Sequence, residues 1–153
     1  MTSRVFVDTN VWVYAVDDGE PHKQAQARAV IAPAPDTDVV VSAQVLGEFY
    51  VTVRRKLAVT LPEADAIVLV DRMRQLPVVP IDRDLVASAI ANAGAWQISY
   101  WDALIIAAAE TAGCRRVLSE DLGDGATYGS VQVVNPFRSV ALTAPRESQV
   151  SGG

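Results

Sequence analysis

Short apolar runs of β-branched residues recur along the chain, each followed by a longer segment of helical character, and this alternation strongly restricts the possible folds. The run at residues 39–41 is continuous, as expected of a strand buried on both faces. Residues 5–7 and 131–134 predict further strands, and the segments between such runs are long enough for helical crossovers. The sequence therefore predicts an α/β fold with a parallel sheet of four or five strands and helices on both faces.

Glycines mark several of the predicted boundaries. Gly94 is expected to end a helix that begins at Asp82 or Arg83, because glycine is common just past a helix C-terminus. Residues 123–129 are predicted to form a loop before the last strand.

The length and composition suit one globular domain. The chain has 153 residues, of which 50% are hydrophobic, so it can bury a substantial core. After Pro136 the sequence becomes rich in Ser, Thr, Gly and Pro. We therefore predict a folded domain over residues 1–137 and a loosely ordered tail over residues 138–153.

Neither membrane insertion nor export is predicted. The longest apolar block, residues 103–109, is too short to cross a bilayer, and the first residues lack the layout of a signal peptide. The single cysteine, Cys114, excludes an internal disulfide and suits a reducing compartment. We therefore expect a cytoplasmic protein without a membrane partner.

Four acidic residues lie at positions that an α/β fold would place near the carboxyl ends of its strands. Two follow predicted strands, one lies on the flank of an apolar helix stripe, and one begins a helix that is apolar all round. They are Asp8, Asp121, Glu48 and Asp102. Ligands of open α/β sheets bind outside the carboxyl ends of the strands, so we expect these carboxylates to converge there. Since converging carboxylates repel one another unless a cation joins them, the sequence predicts a divalent metal site.

The ligand types restrict the metal and its chemistry. Carboxylate oxygens without histidine or cysteine suit Mg²⁺ or Mn²⁺ rather than Zn²⁺. Such ions assist phosphodiester hydrolysis by orienting water and stabilising charge on the leaving oxygen. Thr9 and Asn10 directly follow Asp8 and are placed to orient ligands or waters.

A basic run, Arg54, Arg55 and Lys56, ends the helix that contains Glu48. It suits a neighbouring phosphate of an extended substrate, and it equally suits the favourable charge at a helix C-terminus. The formal net charge is −5, and setting the four acids aside as metal ligands leaves −1. Overall acidity therefore does not exclude a phosphate-bearing substrate, because bound cations would reverse the local field.

Each acid also has a purely structural interpretation. Asp8 could cap the helix after it, and Asp102 fits a capping box with Ser99. Asp121 lies in a loop where Asx turns are common, and Glu48 could be a solvated helix position. Uncompensated carboxylates near the interior are costly, so the four together favour a metal site over four separate structural roles.

Four segments of the chain occur in the order and spacing of one known family. They are residues 7–11 (VDTNV), 44–49 (QVLGEF), 100–109 (YWDALIIAAA) and 118–125 (LSEDLGDG). With the last strand and residues 134–137, they resemble the PIN domain, and specifically the VapC-like ribonuclease toxins of bacterial toxin–antitoxin pairs. The resemblance covers residues 4–137.

This resemblance implies a three-layer α/β/α sandwich and RNA cleavage that depends on Mg²⁺ or Mn²⁺. By matching position, the four acids would be the catalytic metal ligands, with four polar residues orienting or assisting them: Thr9, Asn10, Ser119 and Asp124. The family also implies a homodimer and a small antitoxin protein that neutralises the toxin. We therefore predict a metal-dependent endoribonuclease.

Other functions of acidic α/β domains fit these residues less well. A catalytically inactive PIN-like binding module, acting through protein or RNA contacts, is the alternative, although the complete quartet argues against it. A receiver domain needs an acidic pair after the first strand and a late lysine, whereas the lysines here are Lys23 and Lys56. A phosphatase of the DxD type needs an acid where Asn10 stands.

Overall fold

Strands and helices alternate through the computed structural model, which describes residues 2–138. The strands are β1 (Ser3–Val7), β2 (Thr37–Ser42), β3 (Val78–Val79), β4 (Arg116–Leu118), β5 (Thr127–Tyr128) and β6 (Val131–Val134). The helices are α1 (Thr9–Tyr14), α2 (Pro21–Ile31), α3 (Ala43–Arg55), α4 (Glu63–Met73), α5 (Arg83–Trp96) and α6 (Tyr100–Thr111).

The strands form one mixed sheet in the order β3-β2-β1-β4-β6-β5. β3, β2, β1, β4 and β6 are parallel, which confirms the predicted parallel sheet. In the register of this sheet, Val5 lies opposite Val39 on one side and Arg116 on the other. β1 and β4 are therefore neighbours, and their carboxyl ends meet at the same edge.

A short antiparallel strand was not predicted. β5 lies within residues 123–129, where the sequence predicted only a loop, and it pairs with β6 through Thr127–Gln132 and Tyr128–Val131. Gly129, with φ of +58°, forms the turn between them, and a Cβ there would collide with the carboxylate of Glu110. A strand of two residues has too few positions to show an alternating pattern.

Apolar side chains pack on both faces of the sheet, as expected from the alternation of side chains along a strand. Val5 and Val7 face α1 and α2, where they pack with buried residues such as Val11. Phe6 points to the opposite face and belongs to the larger cluster, which includes Phe49 of α3 and Ile106 of α6. The structure is therefore the predicted three-layer α/β/α sandwich.

The end of α5 differs from the prediction. Gly94 was expected to stop this helix, but α5 continues to Trp96. Gln97 then adopts the left-handed conformation with φ of +54°, and its backbone N–H donates to the carbonyl of Ala93. A left-handed residue closes the helix here as a glycine usually would, and Gly94 remains inside it.

No helix within residues 2–138 has the length and apolar character needed to cross a membrane. The predicted tail at residues 138–153 lies outside the described residues except for Arg138.

Candidate functional site

Four separate elements place the predicted acids near the carboxyl edge of the sheet. Asp8 directly follows β1, and Asp121 lies in the loop after the neighbouring strand β4. Glu48 lies on α3, and Asp102 is in the first turn of α6. Glu48 and Asp121 both raise the pKa of Asp8 and that of Asp102, so the four carboxylates share one electrostatic environment.

Asp8 is buried and tightly held. It caps α1, as its structural interpretation predicted: its carboxylate accepts hydrogen bonds from the backbone N–H of Thr9 (2.7 Å), the hydroxyl of Ser119 (2.8 Å) and the amide of Asn10 (3.3 Å). Burial raises the pKa of Asp8 from 3.8 to about 6, against the lowering effect of the bonds from Ser119 and Thr9. The charged form is therefore costly in this position.

Ser119 and Asn10 join Asp8 to the loop that contains Asp121. The buried Ser119 hydroxyl donates to Asp8 and accepts from the backbone N–H of Asp121 at 3.2 Å. The amide of Asn10 donates to the Asp121 carboxylate at 3.2 Å, and its oxygen accepts from the N–H of Glu120 at 3.0 Å. The structure thus brings three of the predicted assisting residues, including Thr9, into contact with the acids.

Glu48 is half-buried and is held from two sides. The hydroxyl of Thr9 donates to one carboxylate oxygen at 2.8 Å, and the amide of Gln44 donates to the other at 2.9 Å. The same Gln44 amide donates to the carbonyl of Trp101 at 3.3 Å, which connects α3 with the start of α6. Gln44 therefore lies between Glu48 and the helix turn that contains Asp102.

Gln44 was not singled out from the sequence. It is buried, and its side-chain oxygen has no hydrogen-bond partner among the described residues. The available signal was its spacing of four residues before Glu48, which places both side chains on the same helix face.

Asp102 and Asp121 are less enclosed than Asp8. The backbone N–H of Asp102 donates to the hydroxyl of Ser99 at 3.1 Å, which confirms the predicted N-terminal cap of α6. Burial raises the pKa of the half-buried Asp102 carboxyl, while a hydrogen bond with Ser99 lowers it. Asp121 is exposed.

Asp124 lies in the same loop as Asp121 but bonds elsewhere. Its carboxylate accepts from the backbone N–H of Asn135 at 2.9 Å, which fixes the chain after β6. The structure therefore does not join Asp124 to the other predicted site residues by a described hydrogen bond, and an assisting role for it stays a prediction.

A cleft of about 800 Å³ lies beside these acids. Its walls come from α1, α3 and the loop after β4, and they include Glu48 and Asp121 of the quartet. Gly47, Val51 and Lys56 line the α3 wall. The cleft is large enough to receive part of an extended ligand directly against the acids.

The predicted basic run divides in the structure. Lys56 lines the cleft, whereas Arg54 and Arg55 do not. Arg54 instead donates to the carbonyl of Leu61 at 2.8 Å and holds the connection between α3 and α4. Arg55 is exposed.

A further contact supports the loop that contains Asp121, and no local pattern in the sequence predicts it. Lys23 of α2 forms an ion pair with Glu120 and donates to the hydroxyl of Tyr14 at 3.2 Å. Its ammonium group lies 4.6 Å from the centre of the Tyr14 ring, within the range of a cation–π interaction. This contact joins α1 and α2 to the residue directly before Asp121.

The donor set of the site consists of carboxylate oxygens, which suit a hard divalent cation. Within residues 2–138, no three Asp, Glu, His or Cys side chains lie close enough together to enclose a metal ion. Asp121 is exposed and Glu48 and Asp102 are partly exposed, so a bound ion would have to draw these side chains together with Asp8. The residues therefore fit a divalent cation by the chemistry of their donor atoms.

Solved structures from several bacteria share this fold. VapC20 of Mycobacterium tuberculosis, described as a toxin that cleaves the sarcin–ricin loop, is 23% identical with a TM-score of 0.59, covering 76% of this chain and 89% of that one. A toxin–antitoxin complex from Klebsiella pneumoniae is 17% identical with a TM-score of 0.61, covering 86% of this chain and 97% of that one. VapBC2 from Rickettsia felis, bound to a promoter DNA fragment, is 13% identical with a TM-score of 0.61, covering 85% and 96%.

Sequence comparison gives the family directly. Among curated proteins none matches the chain significantly. The family model described as the PIN domain matches residues 5–123, a span that contains all four acids and most of the sheet. This match covers well over half of the sequence, and the chain belongs to the PIN-domain family.

Proposed function

We propose that this protein is an endoribonuclease that depends on Mg²⁺ or Mn²⁺, hydrolyses phosphodiester bonds of RNA, and acts as the toxin of a toxin–antitoxin pair. The observation that supports this proposal best is that Glu48 and Asp121, which line a cleft, interact electrostatically with both Asp8 and Asp102, although the four acids come from separate elements. Carboxylates from separate elements that repel one another in this way are expected where they share a bound cation.

In this proposal Asp8 is the best-ordered metal ligand, because three hydrogen bonds fix its orientation. Glu48, Asp102 and Asp121 complete the ligand set from the other sides. A bound divalent cation would supply an activated water and stabilise charge on the leaving oxygen. Thr9 and Ser119 hold Glu48 and Asp8 by donating to them, which leaves the remaining carboxylate lone pairs for ligand binding.

The cleft gives the substrate a path to these ligands. Lys56 at the end of α3 provides a positive charge for a phosphate next to the cleaved one. RNA is proposed as the substrate because the sequence resembles VapC-like ribonuclease toxins and because VapC20, which shares the fold, is described as cleaving the sarcin–ricin loop.

A protein partner and self-association also belong to this proposal. Solved relatives of the fold include a toxin–antitoxin complex and VapBC2 on promoter DNA. We propose a small antitoxin that covers the acidic cleft, a homodimeric toxin, and action in the cytoplasm. Co-expression with candidate antitoxin proteins, followed by size-exclusion chromatography, tests both the antitoxin complex and the homodimer.

Cleavage of a structured RNA tests the enzymatic part. Purified wild type and Asp8→Asn are compared with Mg²⁺, with Mn²⁺ and with EDTA. The proposal predicts cutting by wild type with either metal, none in EDTA, and none by the variant. Equal cutting by both proteins would contradict the catalytic assignment. RNA binding without cutting by either would favour the inactive binding module.

A further inference from the structure

Gly47 occupies the middle of α3 without a reason in the described fold. Glycine is less favourable than alanine inside a helix because its backbone loses more freedom on folding. Gly47 does not adopt a positive φ, and a Cβ added to it would meet nothing within 4 Å. Neither backbone conformation nor packing within residues 2–138 therefore requires a glycine at this position.

The location of Gly47 suggests what requires it. Gly47 lines the cleft next to Glu48, one of the four acids, and Val51 follows one helical turn later on the same wall. Val51 is 44% exposed, so this wall offers bare backbone and aliphatic carbon directly beside the acidic site. Lys56 lies on the same wall, about 14 Å from Gly47 along the helix axis.

The geometry points to a nucleotide subsite: an unpaired base of the RNA substrate packs flat against Gly47 and Val51, and the phosphate of a neighbouring nucleotide reaches Lys56. This assignment deepens the proposed function and rests on it. Proteins read single-stranded RNA through splayed bases whose flat faces pack on the protein. A side chain at position 47 would occupy the space of the base, and Gly47 thus determines which substrates fit.

RNA fits this wall better than a protein segment for a reason of position. Gly47 is adjacent in sequence to Glu48, so any occupant of the Gly47 surface lies next to the proposed site of phosphodiester cleavage. RNA is a polyanion, and its cleaved phosphate would lie against the cation held by the carboxylates. Lys56 supplies a positive charge on the same wall for a second phosphate.

A graded substitution series tests the subsite, with a matched control in another helix. Gly47→Ala and Gly47→Leu are compared with Gly94→Ala and Gly94→Leu. Gly94 also lies within a helix, is exposed, and has nothing within 4 Å of an added Cβ, but it does not line the cleft. Both alanine variants should unfold at a higher temperature than wild type, since alanine favours a helix.

Binding and cleavage are measured separately. A fluorescent single-stranded RNA of about 12 nucleotides is titrated with each protein in Ca²⁺, which also binds carboxylate oxygens but is not one of the proposed catalytic ions, and KM and kcat are measured on the same RNA in Mg²⁺. Gly47→Leu should bind at least about tenfold more weakly and raise KM similarly, with Gly47→Ala intermediate. Its Mn²⁺ affinity should equal that of wild type, and the Gly94 variants should bind RNA as wild type does.

Four results would overturn the assignment of a base subsite to Gly47 and Val51. Unchanged RNA affinity in Gly47→Leu would show that no base packs there. Loss of Mn²⁺ affinity would show damage to the acids rather than a blocked subsite. Loss of self-association or partner binding with unchanged RNA affinity would assign this wall to a protein. If wild type itself bound no RNA, the subsite would be excluded, whereas RNA that is bound but not cut would contradict only the proposed hydrolysis.

Discussion

Asp8 and Asp121 occupy similar positions after neighbouring parallel strands, yet their surroundings differ sharply. Asp8 is 7% exposed and accepts three hydrogen bonds, one from the backbone, one from Ser119 and one from Asn10. Asp121 is exposed, and its carboxylate accepts from Asn10. A strand end alone therefore does not decide how rigid a carboxylate is; the elements packed over it do.

The difference indicates a division of roles within the proposed metal site. Asp8 is held in one orientation, and its burial makes the charged form unfavourable without a cation. Asp121 can move with little cost because solvent surrounds it. We expect Asp8 to dominate metal binding, and Asp121 to adjust to the bound ion and substrate.

The largest expected effect distinguishes these two acids by activity. Asp8→Asn should lower RNA cleavage by at least about 10³-fold, because it removes the best-ordered ligand charge. Asp121→Asn should lose less, about 10-fold to 100-fold, at saturating Mg²⁺. Steady-state rates on one RNA check both variants. Equal losses of cleavage rate in the two variants would show that both acids contribute equally to catalysis and would contradict the proposed division of roles.

The two acids should also differ in their effect on the free energy of unfolding: losing the charge of Asp8, the more important acid for activity, should stabilise the metal-free protein. Because the pKa of Asp8 rises from 3.8 to about 6 on folding, ionised Asp8 destabilises the folded protein above about pH 6, and this penalty disappears as the pH falls towards 4. In EDTA at pH 7, Asp8→Asn should therefore raise the free energy of unfolding by about 3 kcal/mol.

Urea unfolding at several pH values measures this effect. The gain from Asp8→Asn should shrink between about pH 6 and pH 4, whereas exposed Asp121→Asn should stay within about 0.5 kcal/mol of wild type throughout. A destabilised Asp8→Asn at pH 7 would show that the buried charge contributes to the fold.

A variant of Gln44 tests whether Glu48 is held in one orientation like Asp8 or can adjust like Asp121. Gln44→Ala removes the donor that orients Glu48 and joins it to Trp101. The loss of such a supporting contact should weaken metal affinity by about tenfold, with activity restored at high metal concentration. Gln75→Ala, at an exposed position, is the control. Unchanged metal affinity in Gln44→Ala would place Glu48 among the adjustable ligands.

The smallest effect concerns the cation on the cleft wall. Lys56→Gln should weaken RNA binding a few-fold and reduce the salt dependence by about one unit of slope, since it removes one phosphate contact. Arg55→Gln removes an equal charge outside the cleft and serves as its match. Identical salt slopes for the two variants would argue against a specific phosphate contact at Lys56.

The sequence predicted the strand ends and helix starts around the candidate site wherever local patterns were sufficient. Apolar runs that end in Asp8 and Asp121 identified two strand ends, and the capping pattern at Ser99 placed Asp102 correctly in the first turn of α6. These features depend on neighbours within a few residues, so a single sequence shows them.

Tertiary contacts explain what was missed. Gln44 is buried between Glu48 and Trp101 only because α3 packs near α6, and no pattern within α3 shows this. β5 exists because β6 pairs with it, since two residues alone do not define a strand. α5 continues past Gly94 because Gln97, not glycine, takes the left-handed position.

Calorimetric titration of Mn²⁺ into metal-free wild type and Asp8→Asn tests the central claim most directly, which is that the four carboxylates form one cation site centred on Asp8. Mn²⁺ should bind wild type, and Asp8→Asn should bind it at least about 100-fold more weakly while remaining folded. Equal Mn²⁺ affinity in the two proteins would contradict the account, because the ion would then be held without Asp8.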